Sequence, residues 1–261
     1  MIRRREFIAG LCSSVAWPLA SCAQQGDLVR TLQLQVLRLQ AEHAADQITN
    51  FIRGIENQVG WTTYLSWTAG TIEQRRFDSV RLLRQAPDIS EFAQLDPTGK
   101  EQLRVSRFAG DSTDHPDYSH DPKFTEAVAK KVYYGPMYLR RQSEPYMTIS
   151  VAGTRREGGV SVVEVEISPV WGVVSRSGMG ERRQAYVIDT KGRLIAHTDI
   201  SLVLRNIDMT QLAQVRAART DGAGAGGEAK DIHGRDVLTA YAMVAPLGWL
   251  VFVEMPIEEV K

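Results

Sequence analysis

Between Asp27 and Gly60 the apolar positions Leu34, Leu37, Ala41, Ala44, Ile48, Phe51, Ile55 and Val59 follow one another at gaps of three or four residues. That spacing predicts one face of a long helix, uninterrupted by proline and with Gly54 as its only interior glycine. About 30 residues at 1.5 Å each span roughly 45 Å, more than one small domain needs. The stripe suits a coiled-coil seam, a homodimer face or a spine packed along two domains. The spine is preferred, with dimerisation as an added use. A second helix is predicted over Thr71 to Gln85, capped by Thr71 and stopped before Pro87, with Ile72, Phe77, Val80, Leu82 and Leu83 as its apolar positions.

The period then changes. Phe92 to Leu95, the turn Asp96-Pro97-Thr98-Gly99-Lys100, and the alternating run Gln102 to Arg107 read as a hairpin. A polar stretch over 110–131 ends in a short helix from about Pro122. The aromatic cluster Val132-Tyr133-Tyr134-Gly135-Pro136-Met137-Tyr138 follows, then β-type runs at Tyr146–Ala152 and Val160–Ile167 and a connecting helix at 168–178. The hairpin motif recurs 93 residues later as Ile188-Asp189-Thr190-Lys191-Gly192-Arg193, with apolar strands on either side. After it come a helix from about Met209 to Arg219, a glycine-rich connector at Gly222–Gly227, and strands at Asp236–Val244 and Trp249–Met255. Hairpin, polar helix-bearing stretch and two late strands occur twice in the same order, which predicts two related α+β domains in tandem.

Charge adds an exclusion. Lys and Arg total 31, as do Asp and Glu, so no basic excess exists to neutralise phosphates and a nucleic-acid partner is not expected. The first 23 residues change that balance. Arg3, Arg4 and Arg5 precede an apolar run from Phe7 to Ala20 and small residues at Ser21-Cys22-Ala23, the layout of an export signal. Arg4-Arg5-Glu6-Phe7-Ile8 resembles a twin-arginine signal, and Leu19-Ala20-Ser21-Cys22 resembles a lipobox that would acylate Cys22. Without residues 1–21 the chain keeps 28 basic and 30 acidic groups. It also keeps only one cysteine, Cys22, so an internal disulfide is not expected.

The long helix, the hairpin at Leu95–Lys100, the strand Glu144-Pro145-Tyr146-Met147-Thr148-Ile149-Ser150-Val151, the run Ala185 to His197 and the late strand Gly248-Trp249-Leu250-Val251 together resemble the double Cache family. These are PAS-like extracytoplasmic sensor modules of bacterial receptors. The resemblance covers about residues 28–257. It implies an α+β fold, a long N-terminal helix followed by two tandem PAS-like modules with antiparallel sheets. The expected division is 1–23 export signal, 24–60 spine helix, 61–178 membrane-distal module and 179–261 membrane-proximal module. It further implies a periplasmic, membrane-associated sensor, not an enzyme, that binds a small molecule (organic acid, amine or amino acid) in its distal module without a cofactor. Output would come from a histidine kinase, cyclase or chemoreceptor region, since no kinase, cyclase or nucleotide-loop motif occurs within residues 1–261. A solute-binding lipoprotein or adaptor presenting ligand to a separate receptor is the alternative. Where amino-acid-binding members carry an Arg-x-Trp-Tyr run, this chain has Phe124-Thr125-Glu126 after Pro122-Lys123. The family's late-strand acidic position falls on Glu166, with Glu164 second.

The residues themselves offer one aromatic set suited to a pocket: Tyr118, Phe124, Tyr133, Tyr134, Tyr138 and Tyr146, with Arg140 and Arg141 beside them. An arginine can hold a carboxylate through paired hydrogen bonds, and Glu166 could meet an amine. The five histidines show no His-x3-His or Glu-x-x-His spacing, no Gly-x-Ser-x-Gly elbow is present, and neither a catalytic nor a metal site is expected. His197 is expected to make a structural hydrogen bond at a strand end.

Overall fold

The computed structural model describes residues 17–64, 70–108, 114–154, 158–178, 183–221 and 226–259. Residues 1–16 of the expected export signal, the side chain of Cys22, Trp67 and residues 222–225 of the glycine-rich connector lie outside these.

Helix α1 (Trp17–Gly60) runs without a break for 44 residues. Its buried line is Leu37, Ala41, Ala44, Ala45, Ile48, Ile52, Ile55 and Val59, with Leu34 and Phe51 packed at the margin. Helix α2 (Ile72–Gln85) begins with a reciprocal cap: Gln74 N donates to Thr71 Oγ1 at 3.3 Å, and Thr71 N donates to Gln74 Oε1 at 3.1 Å. Its buried face is Arg75, Ser79, Leu82 and Leu83. Phe77 is 70% exposed and Ile72 is 43% exposed, unlike the expectation that both join the apolar face. Phe77 sits two residues past Arg75, about 200° around a helix of 3.6 residues per turn, so it points away.

The first sheet holds β1 (Ile89–Leu95), β2 (Glu101–Ser106), β3 (Val132–Tyr134), β4 (Tyr138–Arg140), β5 (Glu144–Ala152) and β6 (Val160–Glu166) in the order β2-β1-β6-β5-β3, with β4 also on β5. Between β2 and β3 lies α3 (Pro122–Lys130), capped by Asp121, whose side chain accepts from Lys123 N. Helix α4 (Ser168–Ser177) leads to the second sheet. That sheet comprises β7 (Gln184–Ile188), β8 (Leu194–His197), β9 (Gly227–Lys230), β10 (Asp236–Val244) and β11 (Trp249–Pro256) in the order β8-β7-β11-β10-β9. Helices α5 (Ile200–Leu204) and α6 (Ala213–Asp221) cover its outer face. The predicted helix over Met209–Arg219 begins four residues later, because Asp208 folds its own turn by accepting from Thr210 N at 2.8 Å. Strand β9 and helix α5 carry no clear sequence signal.

One core runs along α1 from Leu34 to Val59 and takes the inner faces of both sheets. Phe92, Met147, Ile149, Val163 and Val165 enter it from the first sheet, and Val187, Ala240, Val251 and Val253 from the second. Met137 and Trp171 touch this core and the outer cluster of the second sheet together.

The turn repeat is structural. Asp96 Oδ1 accepts from Thr98 N and Lys100 N, and Asp189 Oδ1 accepts from Lys191 N and Arg193 N. Gly99 (φ +91°) and Gly192 (φ +86°) take the left-handed region. A Cβ on Gly99 would also lie 2.6 Å from Ser119 Cα, and one on Gly192 2.4 Å from Thr210 Cγ2. A third copy, Asp231-Ile232-His233-Gly234-Arg235, joins β9 to β10 with the same bonds from His233 N and Arg235 N.

Candidate functional site

Strand alternation puts Glu91, Ala93 and Leu95 of β1 and Val160, Val162 and Glu164 of β6 on the face turned away from α1. A narrow cleft of about 20 Å³ opens there, closed down by the side chains that line it. Its lining includes Glu91, Glu101, Arg104, Tyr118, Lys123 and Glu164. Arg104 is the centre of one half. Its guanidinium pairs with both oxygens of Glu101, donates to Glu91, and reaches the Tyr118 hydroxyl at 2.9 Å. The hydrogen bond that Arg104 donates to buried Glu101 holds the guanidinium firmly protonated. Lys123 Nζ stands 3.8 Å from the centre of the Tyr118 ring, a cation–π contact.

Glu164 is the centre of the other half. Thr148 Oγ1, across the ladder on β5, lies 2.9 and 3.1 Å from its two oxygens, and Tyr138 Oη donates to it. Burial, reinforced by that bond, pushes the Tyr138 hydroxyl well up, so it stays a donor. Arg140 Nη2 is 4.0 Å from Glu164, while Arg140 Nη1 donates to Ser90 Oγ at 3.1 Å and the guanidinium lies 4.4 Å over the Tyr146 ring. Tyr138 and Tyr146 stack at 6.2 Å.

Of the expected pocket residues, Tyr118, Tyr138, Arg140 and Tyr146 thus gather around this cleft or the carboxylate that lines it. Phe124 and Tyr133 pack nearby, in a small apolar cluster with Ala93, Leu95, Ala127 and Val162. Tyr134 lies on the opposite face of the sheet, where its hydroxyl donates to Glu56 of α1. Its neighbour Tyr133 cannot share that face, because successive strand residues alternate. Arg141 is exposed and pairs with Glu144 at 3.7 Å. Glu166 sits at the strand end opposite Tyr146 and accepts from Ser168 Oγ at 2.6 Å. Glu91, Glu101, Arg104, Lys123 and Thr148 were not singled out from sequence. For Arg104 the polar–apolar alternation of β2 was the available signal. His197 accepts from Asp199 N through Nδ1 at 2.8 Å, and burial brings its pKa down to about 4. Among the described residues, no group of three or more His, Cys, Asp and Glu side chains could hold a metal ion.

The second sheet repeats this face with other side chains. With Asp96 laid on Asp189, Glu91 falls on Gln184, Ala93 on Tyr186, Glu101 on Leu194 and Arg104 on His197. The ladders extend the match. Glu164 pairs with Glu91 and Thr148, and Glu254 pairs with Gln184 and Thr239. Likewise Val162 and Ser150 fall on Phe252 and Tyr241. The carboxylate and its threonine therefore recur. The small residues around them do not: Tyr186 and Phe252 stack at 4.9 Å, and Tyr241 lies 5.4 Å from Phe252.

A family model described as dCache_1, Cache domain, matches residues 24–261. Among solved structures, the sensory domain of the Campylobacter jejuni chemoreceptor Tlp3 matches at 15% identity and a TM-score of 0.69, over 90% of this chain and 98% of that one. The ligand-binding domain of the Pseudomonas aeruginosa PAO1 amino acid chemoreceptor PctB, in complex with L-Arg, matches at 16% identity and a TM-score of 0.64, over 86% and 88%. The extracellular domain of a protein described as a histidine kinase, soHK1S-Z6, matches at 20% identity and a TM-score of 0.63, over 89% and 97%. No curated protein matches this chain.

Proposed function

Because the chain belongs to the Cache domain family of receptor sensor domains, we propose that it is a periplasmic sensor whose first-sheet cleft binds a small amino acid. The observation that supports this most is the pairing of opposite charges in one cleft. Arg104 and Lys123 offer donors for a carboxylate, while Glu91 and Glu164 offer acceptors for an ammonium group. An organic acid or a simple amine would satisfy only one side and leave the other paired internally. The Tlp3 and PctB domains, bound to L-valine and L-Arg respectively, lend the same ligand class by analogy. The module division 61–178 and 179–261, with α1 as spine, is part of this proposal.

Ligand entering beside Glu164 would compete with the Tyr138 and Thr148 hydroxyls and shift β4. The residue before Tyr138 is Met137, which touches both cores, so that shift has a direct route to the second sheet. Calorimetric titration of the full chain with amino acids, amines and organic acids tests the assignment. Saturable binding of an amino acid is expected, weakened about tenfold or more in Glu164→Gln and unchanged in Tyr134→Phe, whose hydroxyl faces α1. Absence of saturable binding by all three classes would overturn it.

The receptor context also asks for a dimer. Leu28, Leu32, Val36 and Leu39 form an exposed apolar stripe on α1, apart from the buried line, and we assign the homodimer face to it. Light scattering should show Leu32→Glu and Leu39→Glu shifting dimer to monomer; a wild-type monomer at all concentrations would refute the assignment. Among the described residues no helix is long and apolar enough to cross a membrane. Anchoring through residues 1–23 or an acylated Cys22 is part of the same proposal.

A further inference from the structure

A groove of about 210 Å³ lies on the outer side of the second sheet, between α6 and β9–β10. Its walls are small, from Ala213, Ala217, Gly226, Gly227 and Ala229, with Tyr241 on one side. Gln214 is at its base, only 6% exposed. The Gln214 amide nitrogen is fully committed: Nε2 donates to Lys230 O and to Glu254 Oε1, each at 3.0 Å. Because both partners are acceptors, the amide cannot be turned around without setting oxygen against oxygen. Its Oε1 is consequently fixed, buried and without a hydrogen-bond partner. A buried acceptor left without a partner costs about 1–3 kcal/mol, and Gln214 is among the residues that line the groove.

Glu254 lies behind Gln214, and Glu228 stands at the rim, where Arg30 Nη1 pairs with it at 3.0 Å; no lysine or arginine is among the described residues that line the groove itself. The Thr239 hydroxyl, also buried and lining the groove, lies near enough to Glu254 to favour its charged form without the alignment of a full hydrogen bond. Donor chemistry with a positive charge and a short apolar body fits these walls.

We propose that this groove is a second ligand site, specific for a small primary alkylammonium that donates to Gln214 Oε1 and seats its hydrocarbon between Ala217 and Tyr241. It is independent of the first-sheet cleft and of the ligand assigned there. The two sites differ in chemistry as well as place, since the buried atom left over in the groove is an acceptor, which calls for a donor.

Titration of the ¹⁵N-labelled full chain with isobutylammonium chloride, against sodium isobutyrate at equal ionic strength, tests it by NMR. Saturable shifts are expected at the Gln214 side-chain amide and at Gly227 and Ala229, with no response to isobutyrate. Ala217→Phe, at an exposed helix position, should fill the groove and weaken binding about tenfold or more; Glu164→Gln should leave it unchanged. Shifts that do not saturate, that persist in Ala217→Phe, that appear equally with isobutyrate, or that are confined to the Glu164 cleft would each overturn the proposal.

Discussion

The outer faces of the two sheets start from one plan and solve it in opposite ways. Around Glu164 the first sheet places Ala93, Ser150 and Val162; around Glu254 the second places Tyr186, Tyr241 and Phe252. Tyr186 Oη and Gln214 Nε2 donate to Glu254 from within the chain, at 2.8 and 3.0 Å. Burial raises the pKa of both Glu254 and Tyr186. The second face is therefore packed shut around its carboxylate, leaving only the groove beside α6 at its edge, and among the described residues its outer cluster is more than twice as large as that of the first: eleven buried residues against five. The first face keeps its carboxylates and arginines at a cleft, where a ligand can exchange with them. A repeated backbone thus supports either a binding face or a packing face, and the side chains at three positions largely decide which.

The sharpest way to break this contrast is truncation. Phe252→Ala should cost about 3–5 kcal/mol by leaving a cavity among packed rings, whereas Val162→Ala, at the equivalent position beside the cleft, should cost about 1–2 kcal/mol. Urea denaturation measures both, and equal losses would remove the distinction between the faces. Next comes acid. His197 occupies the place of Arg104 and is neutral in the fold, with its pKa brought down from 6.5 to about 4. The unfolded chain takes up that proton first, so this contribution to stability is complete above about pH 6.5 and is lost as pH falls toward 4. Its full size is up to about 3 kcal/mol. The fall should be smaller in His197→Phe, and identical pH profiles would show that His197 does not carry it. The turns should behave alike on both sides. Asp96→Ala and Asp189→Ala each remove a carboxylate accepting two backbone N–H groups and should each lose about 1.5–3 kcal/mol; a large inequality would mean the repeat is one of shape only. The smallest difference lies in the threonines. Thr148→Val should cost about 1 kcal/mol, while Thr239→Val, whose hydroxyl makes no aligned bond, should cost less than half of that.

Much of the architecture was legible because the relevant patterns are local. The α1 stripe, the two Asp-x-x-Gly hairpins and the runs that became β5, β6, β10 and β11 all announce themselves within a dozen residues. The site was legible only in part. Strand alternation puts Glu164 and Glu166 on the same face, but only the ladder shows that Glu164 stands across from Thr148 and Glu91 while Glu166 meets Tyr146 at the strand end. Pairing register is a long-range property, and no local pattern encodes it. Arg104 was missed for the same reason, since its partners Glu91 and Tyr118 lie 13 and 14 residues away. The third turn, at Asp231, was hidden by its short flanking strand β9.

The position of α1 has a consequence for how the chain acquires its structure. Its buried line packs in part against β10 and β11, strands that lie about 200 residues later in the chain. Contacts of such sequence separation carry a large closure cost and slow the folding step that forms them. The helix that organises both sheets thus waits for the last strands to arrive. A chain cut before Asp236 would lose the strands that α1 packs against, so β10 and β11 must be made before this part of the molecule can close.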